Sequence, residues 1–289
     1  ISFVIGDFRR VEDSYGDLSI GYWVTPEYDD ADALRSFDRT PEIVAFFNEH
    51  TGISYPYEKL DQIIIDDFMW GGMENITLIH QSSGTMHTDR ARPDHTSDGL
   101  VAHEIAHQWY GDYLTCRSWR DLWLNEGFTT YFETRIDEEM YGADYTSMLL
   151  RLGRQELEKT LADASPEQTV LHAELVDPDG YLPKLPYEKG SLFLRMLEAR
   201  VGRETFDAFL RDYFDRFAFG SMDTPTFLAH LESELLVPAG LTPDDVRVEE
   251  WIHGPGVPDD APVFSSDAFM LVEAQVDRLL AGTPAADLD

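Results

Sequence analysis

Hydrophobic and polar positions divide the chain into a strand-rich start and a helix-rich remainder. Within residues 1–25, the stretches ISFVIGDF and LSIGYWV alternate in strand fashion. Residues 36–50 (SFDRTPEIVAFFNEH) switch to helical spacing, with Pro41 near the start and Gly52 at the end. DQIIIDDF at 61–68 is rich in β-branched isoleucine, so residues 60–80 predict a strand, a glycine turn and a second strand. VAHEIAHQWYGD at 101–112 is apolar round much of its circumference, which predicts a buried helix. Ser97 or Asp98 can cap its start and Gly111 can end it. WRDLWLNEGFTTYFETR at 119–135 predicts a second largely buried helix, with Glu126 in its middle. From 145 to 255 the pattern is mainly helical, as in FLRMLEARVG and TFDAFLRDYFDRF. GPGVPDDAPVFSS at 254–266 reads as a linker, and DAFMLVEAQVDRLLAG opens another helix. The predicted class is α+β.

Polar residues inside the two buried helices need a reason to be there, because an unpaired buried carboxylate costs several kcal/mol. His103 and His107 stand one turn apart on one face. Two imidazoles at that spacing can hold one zinc ion, and Glu104 can act on a water beside it. A short motif also arises by chance, so the reading requires a third ligand. Glu126 is the candidate: eighteen residues separate it from His107, enough for the chain to double back. Glu133, seven residues further on, shares its helix face and can accept the second N–H of a ligating histidine. Asn125 lies beside the third ligand.

HEIAHQW and WLNEGF at this spacing resemble the M1 zinc aminopeptidases, a gluzincin family. GGMEN at 71–75 is similar to that family's exopeptidase motif, and PYEKG at 186–190 resembles the segment carrying its catalytic tyrosine. The resemblance runs from about residue 1 to residue 257, and EEWIHGPGVP at 249–258 resembles the leukotriene A4 hydrolase and aminopeptidase B branch. It implies a thermolysin-like zincin fold: a small mixed sheet plus a mainly helical lobe that carries the two histidines. The implied activity is removal of the N-terminal residue from peptides through a metal-activated water, with one zinc per chain. Glu104 would be the base, and Tyr187 would supply a donor to the oxyanion. Gly71, Gly72, Met73, Glu74 and Asn75 would bind substrate, with the Glu74 carboxylate taking the cationic α-amine. Asp179 matches an aspartate of the side-chain pocket in the leukotriene branch, but DPDG at 177–180 is equally a turn sequence.

The same resemblance divides the chain into three parts. Residues 1–25 would be trailing strands of an N-terminal β-domain, 26–253 the zinc peptidase domain, and 254–289 a linker and the start of a C-terminal helical domain. Full versions of the outer domains are missing, so the chain is expected to be cut from a longer protein that holds them as covalent neighbours. Two rivals share these residues. A thermolysin-type metalloendopeptidase would use the same ligands, but a carboxylate at Glu74 obstructs longer chains on the amine side. A catalytically weak scaffold is disfavoured because ligands, base and tyrosine are all present. Epoxide hydrolysis, known in the leukotriene branch, is not required by any motif here.

Composition narrows the partners. Asp and Glu number 55 against 22 Lys and Arg, a net charge of −33, and the only lysines are Lys59, Lys159, Lys184 and Lys189. A surface of that sign repels nucleic acid. No run of eighteen apolar residues occurs, and the first ten residues are too short and too soon charged for a signal peptide, which favours a cytoplasmic place. Cys116 is the single cysteine, so no internal disulfide forms. Acids spread along the whole chain repel one another, a balance that halophiles use. A salt-loving source is therefore expected, and melting temperature should rise from low salt to molar potassium chloride. A steady fall across that series would refute the halophilic reading.

Overall fold

The computed structural model describes residues 2–92, 95–173 and 184–288. Strands β1 (Arg9–Tyr15), β2 (Leu18–Val24), β3 (Lys59–Ile65), β4 (Gly72–Met73) and β5 (Leu78–Ser82) form one mixed sheet in the order β1-β2-β3-β5-β4. β1 and β2 are an antiparallel hairpin, β2, β3 and β5 run parallel, and β4 returns antiparallel along the edge. β3 is central and buried on both faces, which is why its sequence is a run of isoleucines rather than an alternation. One expectation changes here. The ISFVIGDF stretch is not a strand, because residues 2–8 carry none and β1 begins at Arg9, whereas LSIGYWV forms β2, hydrogen-bonded to β3 through a five-residue parallel register. The alternation in sequence gives β2 but neither β1 nor the partner that β2 pairs with.

Helices α1 (Asp30–Phe37) and α2 (Thr40–Thr51) follow the hairpin. Asp29 and Asp32 form a reciprocal cap on α1, and Gly52 ends α2 at φ +71°, a conformation glycine takes freely. Then come α3 (Asp98–Ala106), β6 (Thr115–Cys116), α4 (Trp123–Tyr141) and α5 (Ala143–Ala162). α6 (Gly190–Val201), α7 (Arg203–Phe217), β7 (Ser221–Met222), α8 (Thr224–Leu231), α9 (Val248–Ile252) and α10 (Asp267–Leu280) complete the order. β6 pairs with β7 in a small second sheet. No helix among the described residues is long and apolar enough to cross a membrane.

Two helix boundaries differ from the sequence reading. α3 stops at Ala106 rather than Gly111, so His103 lies in its last turn and His107 is its C-cap. α4 begins at Trp123 after a short 3₁₀ turn, so Glu126 falls in its first turn rather than its middle. A carboxylate there is favoured by the positive end of the helix dipole. At the end of α3 the cause is an apolar pattern that continues through a turn that is itself buried, at Trp109 and Tyr110. The turn before α4 is instead largely exposed, with Trp119 and Arg120 at the surface, and takes 3₁₀ rather than α form.

The core is aromatic. Trp109 stacks on Phe47, and Tyr110 packs between Phe128, Phe132 and Phe214. α4 is the central helix, packed against α3, α5 and α6 and against the π-helical turn Leu185–Lys189 that leads into α6. α10 is tied to α5 by Arg151, which pairs with Glu273 at 2.7 Å and lies over the Phe269 ring. Its remaining apolar side chains, including Leu271 and Leu280, are exposed.

Gly127 and Gly190 set how closely α4 approaches that turn. A Cβ on Gly127 would lie 2.9 Å from Gly190 Cα and 3.1 Å from the Pro186 carbonyl, closer than side-chain carbons approach backbone. The contact is backbone on backbone, with no flexible side chain to yield. Gly127→Ala should therefore force α4 and α6 apart and cost about 1–3 kcal/mol, typical of overpacking in a tight core. Denaturant unfolding measures this, and an unchanged midpoint would mean that the two helices have slack.

Candidate active site

His103, His107 and Glu126 meet at one point. The two Nε2 atoms are 3.2 Å apart, and Glu126 Oε2 lies 3.4 Å from one and 3.3 Å from the other. They form the one such group of possible metal ligands found among the described residues. A tetrahedral ion with bonds of about 2.0–2.1 Å spaces its ligands by roughly 3.3–3.4 Å, so this triangle has the dimensions of one face of a zinc site. Glu126 Oε2 is buried with no hydrogen-bond partner, which is costly unless a cation is shared there. The donor set and its spacing fit zinc.

Each ligand is aimed from behind. His103 Nδ1 is 3.0 Å from Glu133 Oε2, the contact anticipated in the sequence. His107 Nδ1 is 2.9 Å from the Tyr110 carbonyl and 3.1 Å from Thr129 Oγ1. Thr129 also donates to the Asn125 carbonyl at 2.9 Å. Asn125 itself accepts the Cys116 N–H at 2.9 Å, which ties the loop after α3 to the start of α4. The Tyr110 carbonyl and Thr129 were not anticipated. A backbone acceptor has no side-chain signature, and a threonine inside an apolar helix reads as packing.

The electrostatics favour added positive charge. Burial alone lowers the pKa of His107, but the charges of Glu74 and Glu126 outweigh it and hold the imidazole at about 10. His103 is likewise buried, and the carboxylates of Glu126 and Glu133 raise it well above the usual imidazole range. Burial pushes Glu126 up, yet both histidines outweigh that effect and keep its carboxyl well below the usual range. Such a cluster takes up protons or a cation.

Glu104 is 4 % exposed, and its Oε2 has no hydrogen-bond partner. Burial raises its carboxyl to about 7. Its carboxylate lies against Gly72, where an added Cβ would sit 2.4 Å from Oε1 and displace the carboxylate from its place. Met73 follows in β4 and is partly exposed, while Gly71 accepts the Ser82 N–H at 2.9 Å. Glu74 sends its charge onto His107, Glu104 and Tyr187, so all four share one electrostatic field. The Asn75 carbonyl accepts the Leu78 N–H at 3.0 Å and closes the turn after Glu74. The Tyr187 ring stacks on His103, with centroids 5.8 Å apart. Burial, and then the charge of Glu126, push its phenol up, so the hydroxyl keeps its proton. Pro186 and Tyr187 lie in a π-helical turn, a distortion frequent at functional sites, rather than in a regular first turn of α6. Asp179 lies outside the described residues.

Comparison with known proteins agrees with this geometry. The profile of the peptidase family M1 domain matches residues 35–249. Leucine aminopeptidase 2-1 of Meyerozyma guilliermondii is 33% identical over 219 residues, covering 73% of this chain and 35% of that protein. Leucine aminopeptidase 2-1 of Scheffersomyces stipitis is 30% identical over 276 residues, covering 87% and 43%. This chain thus spans well under two thirds of either relative. Among solved structures, yeast LTA4 hydrolase in complex with bestatin superposes with a TM-score of 0.82 at 26% identity, covering 95% of this chain and 44% of that one. The family match covers most of the chain, in the same α+β architecture, and places it in peptidase family M1.

Proposed function

We propose that this chain is the catalytic part of a zinc aminopeptidase that removes the first residue from peptides with a free N-terminus. The observation that carries the reading is the convergence of three ligand atoms within 3.4 Å with an unpartnered Glu104 oxygen and a stacked Tyr187. The relatives' names, leucine aminopeptidase 2-1, support the same class.

His103, His107 and Glu126 would hold the zinc, which when bound supplies Lewis acidity to the scissile carbonyl and to the attacking water. Glu104 takes the proton of that water on its free carboxylate oxygen and returns it to the leaving amine. A carboxyl held near 7 exchanges a proton readily in either direction at neutral pH. Tyr187 donates its O–H to the oxygen that becomes negative in the tetrahedral state. Glu74 accepts the cationic α-amine. β4 is an edge strand, paired on one side only, so its other side can take the extended backbone of a substrate. Glu133 and Asn125 hold the ligands in place without touching substrate.

Two sets of variants test the assignment. Glu126→Ala removes the charged ligand and should lose most of the zinc by elemental analysis, whereas Glu104→Gln should retain it. Full zinc in the first variant would remove Glu126 from the ligand set. Tyr187→Phe should lower kcat by about 10²–10³ with zinc and KM nearly unchanged, since its bond is made mainly in the transition state. Glu74→Ala should instead raise KM for aminoacyl substrates, because the amine is charged before and during reaction. A Tyr187→Phe effect confined to KM would contradict the role given to the phenol.

A further inference from the structure

Gln108 directly follows the ligand His107, and the reaction outlined above gives it no task. Its side chain is fully buried. A buried carboxamide has two N–H donors and one oxygen acceptor to satisfy. Nε2 donates to the Glu74 carbonyl at 2.8 Å and to Asp112 Oδ2 at 2.9 Å. Oε1 accepts the Thr77 N–H at 3.2 Å and lies 3.1 Å from the Tyr55 hydroxyl. The flipped amide would set its oxygen against the Glu74 carbonyl and its NH₂ against the Thr77 N–H, so the main-chain partners select one orientation.

The two main-chain groups held this way are the ends of a single turn, the Glu74 carbonyl and the Thr77 N–H. Thr77 has φ +63°, a left-handed conformation that a β-branched residue enters only under constraint. Such a residue persists where its surroundings over-determine it. Here the Thr77 carbonyl is also taken by the Asp61 N–H at 3.0 Å and by Lys59 Nζ at 3.2 Å. The turn that carries Glu74 is therefore strained, and one side chain from the end of α3 spans it.

An exopeptidase needs such a link. In an α-amino acid the amine nitrogen and the carbonyl carbon are about 2.5 Å apart, fixed by two bonds and one angle. A carboxylate that takes the amine and a metal that takes the carbonyl must keep a matching spacing. We propose that Gln108 is a positioning residue for substrate recognition: its carboxamide clamps the Glu74–Thr77 turn to the end of α3 and so fixes where Glu74 meets the substrate amine. The inference rests on the aminopeptidase reading of Glu74.

The test compares wild type, Gln108→Leu and the double variant Gln108→Leu/Thr77→Gly, all zinc-loaded. Zinc content and melting temperature establish that each is folded. Kinetics with an aminoacyl fluorophore and its N-acetyl counterpart report amine recognition, and hydrogen exchange reports the Thr77 amide. Gln108→Leu should keep its zinc, raise KM for the free-amine substrate about tenfold with a much smaller change in kcat, and speed Thr77 exchange at least as much, as expected for losing bonds to one buried group. Amides inside α3 should not change. Glycine in place of Thr77 takes this left-handed angle without strain, so the double variant should recover part of the KM loss, which a general loss of stability would not. If Gln108→Leu does not fold, Gln108→Glu keeps the shape, turns the donor edge into an acceptor and should show the same KM and exchange changes. A folded variant with unchanged KM and unchanged Thr77 exchange overturns the role of Gln108. Wild type that cleaves the N-acetyl substrate as well as the free amine overturns the aminopeptidase reading itself.

Discussion

Three ligand atoms point at one another in a buried space, where only a proton or a cation between them reconciles their lone pairs, and the rest of the site answers to that demand. His103 Nε2, His107 Nε2 and Glu126 Oε2 lie within 3.4 Å of each other with little water around them. Without a shared proton or cation such groups would turn away. They are prevented by contacts on their far sides, from Glu133 to one imidazole and from the Tyr110 carbonyl and Thr129 to the other. The start of α4 adds its dipole to the carboxylate. The energy spent in holding the triangle is recovered when a cation enters, because structure that is ready beforehand does not have to be ordered on binding.

The approach of Gly127 to Gly190 extends this logic to the reacting groups. It sets α4, with Glu126 in its first turn, directly against the π-helical turn with Tyr187. On the opposite wall, Gly72 lets the edge strand touch the Glu104 carboxylate. Glycine serves at both places for the absence of a side chain, not for an unusual backbone angle. Ligand, base, phenol and substrate edge thus converge because α4 meets the π-helical turn backbone to backbone and the edge strand meets the Glu104 carboxylate at a residue without a side chain.

Much of this was legible in the sequence, and the parts that were not share a physical reason. The histidine pair, Glu126 and Glu133, which the structure brings together, stood out because polar residues inside apolar helical patterns carry information. The end of α3 was misplaced because the buried turn at Trp109 is as apolar as the helix it follows, and the start of α4 because a short 3₁₀ turn at Trp119–Asp121 carries the same spacing as a first helical turn. LSIGYWV was recognised as a strand and is β2, but ISFVIGDF was misread, since the first strand is Arg9–Tyr15, and the parallel pairing of β2 with β3 is a long-range choice that alternation does not encode. Gln108 was passed over for the opposite reason: its value lies in the Glu74 carbonyl and the Thr77 N–H, which every residue possesses and no sequence pattern marks.

Lys189 shows how the segment after α9 joins the site. Its side chain is wholly buried, and its Nζ donates to the Thr169 carbonyl at 3.1 Å and the Gly254 carbonyl at 2.8 Å. Burial pushes its pKa down to about 7, a sign that two carbonyl dipoles compensate the charge less fully than a carboxylate would. Thr169 also accepts the Gly256 N–H, on Oγ1 at 2.7 Å. Residues 254–256 read as the start of a linker, yet Gly254 is bonded to Lys189, in the same turn that carries Tyr187, and Gly256 to Thr169, which Lys189 also holds. A displacement of that segment would strip partners from a buried ammonium, so its position and that of the phenol are coupled. The wall behind Tyr187 therefore includes chain beyond the matched family region, which ends at residue 249.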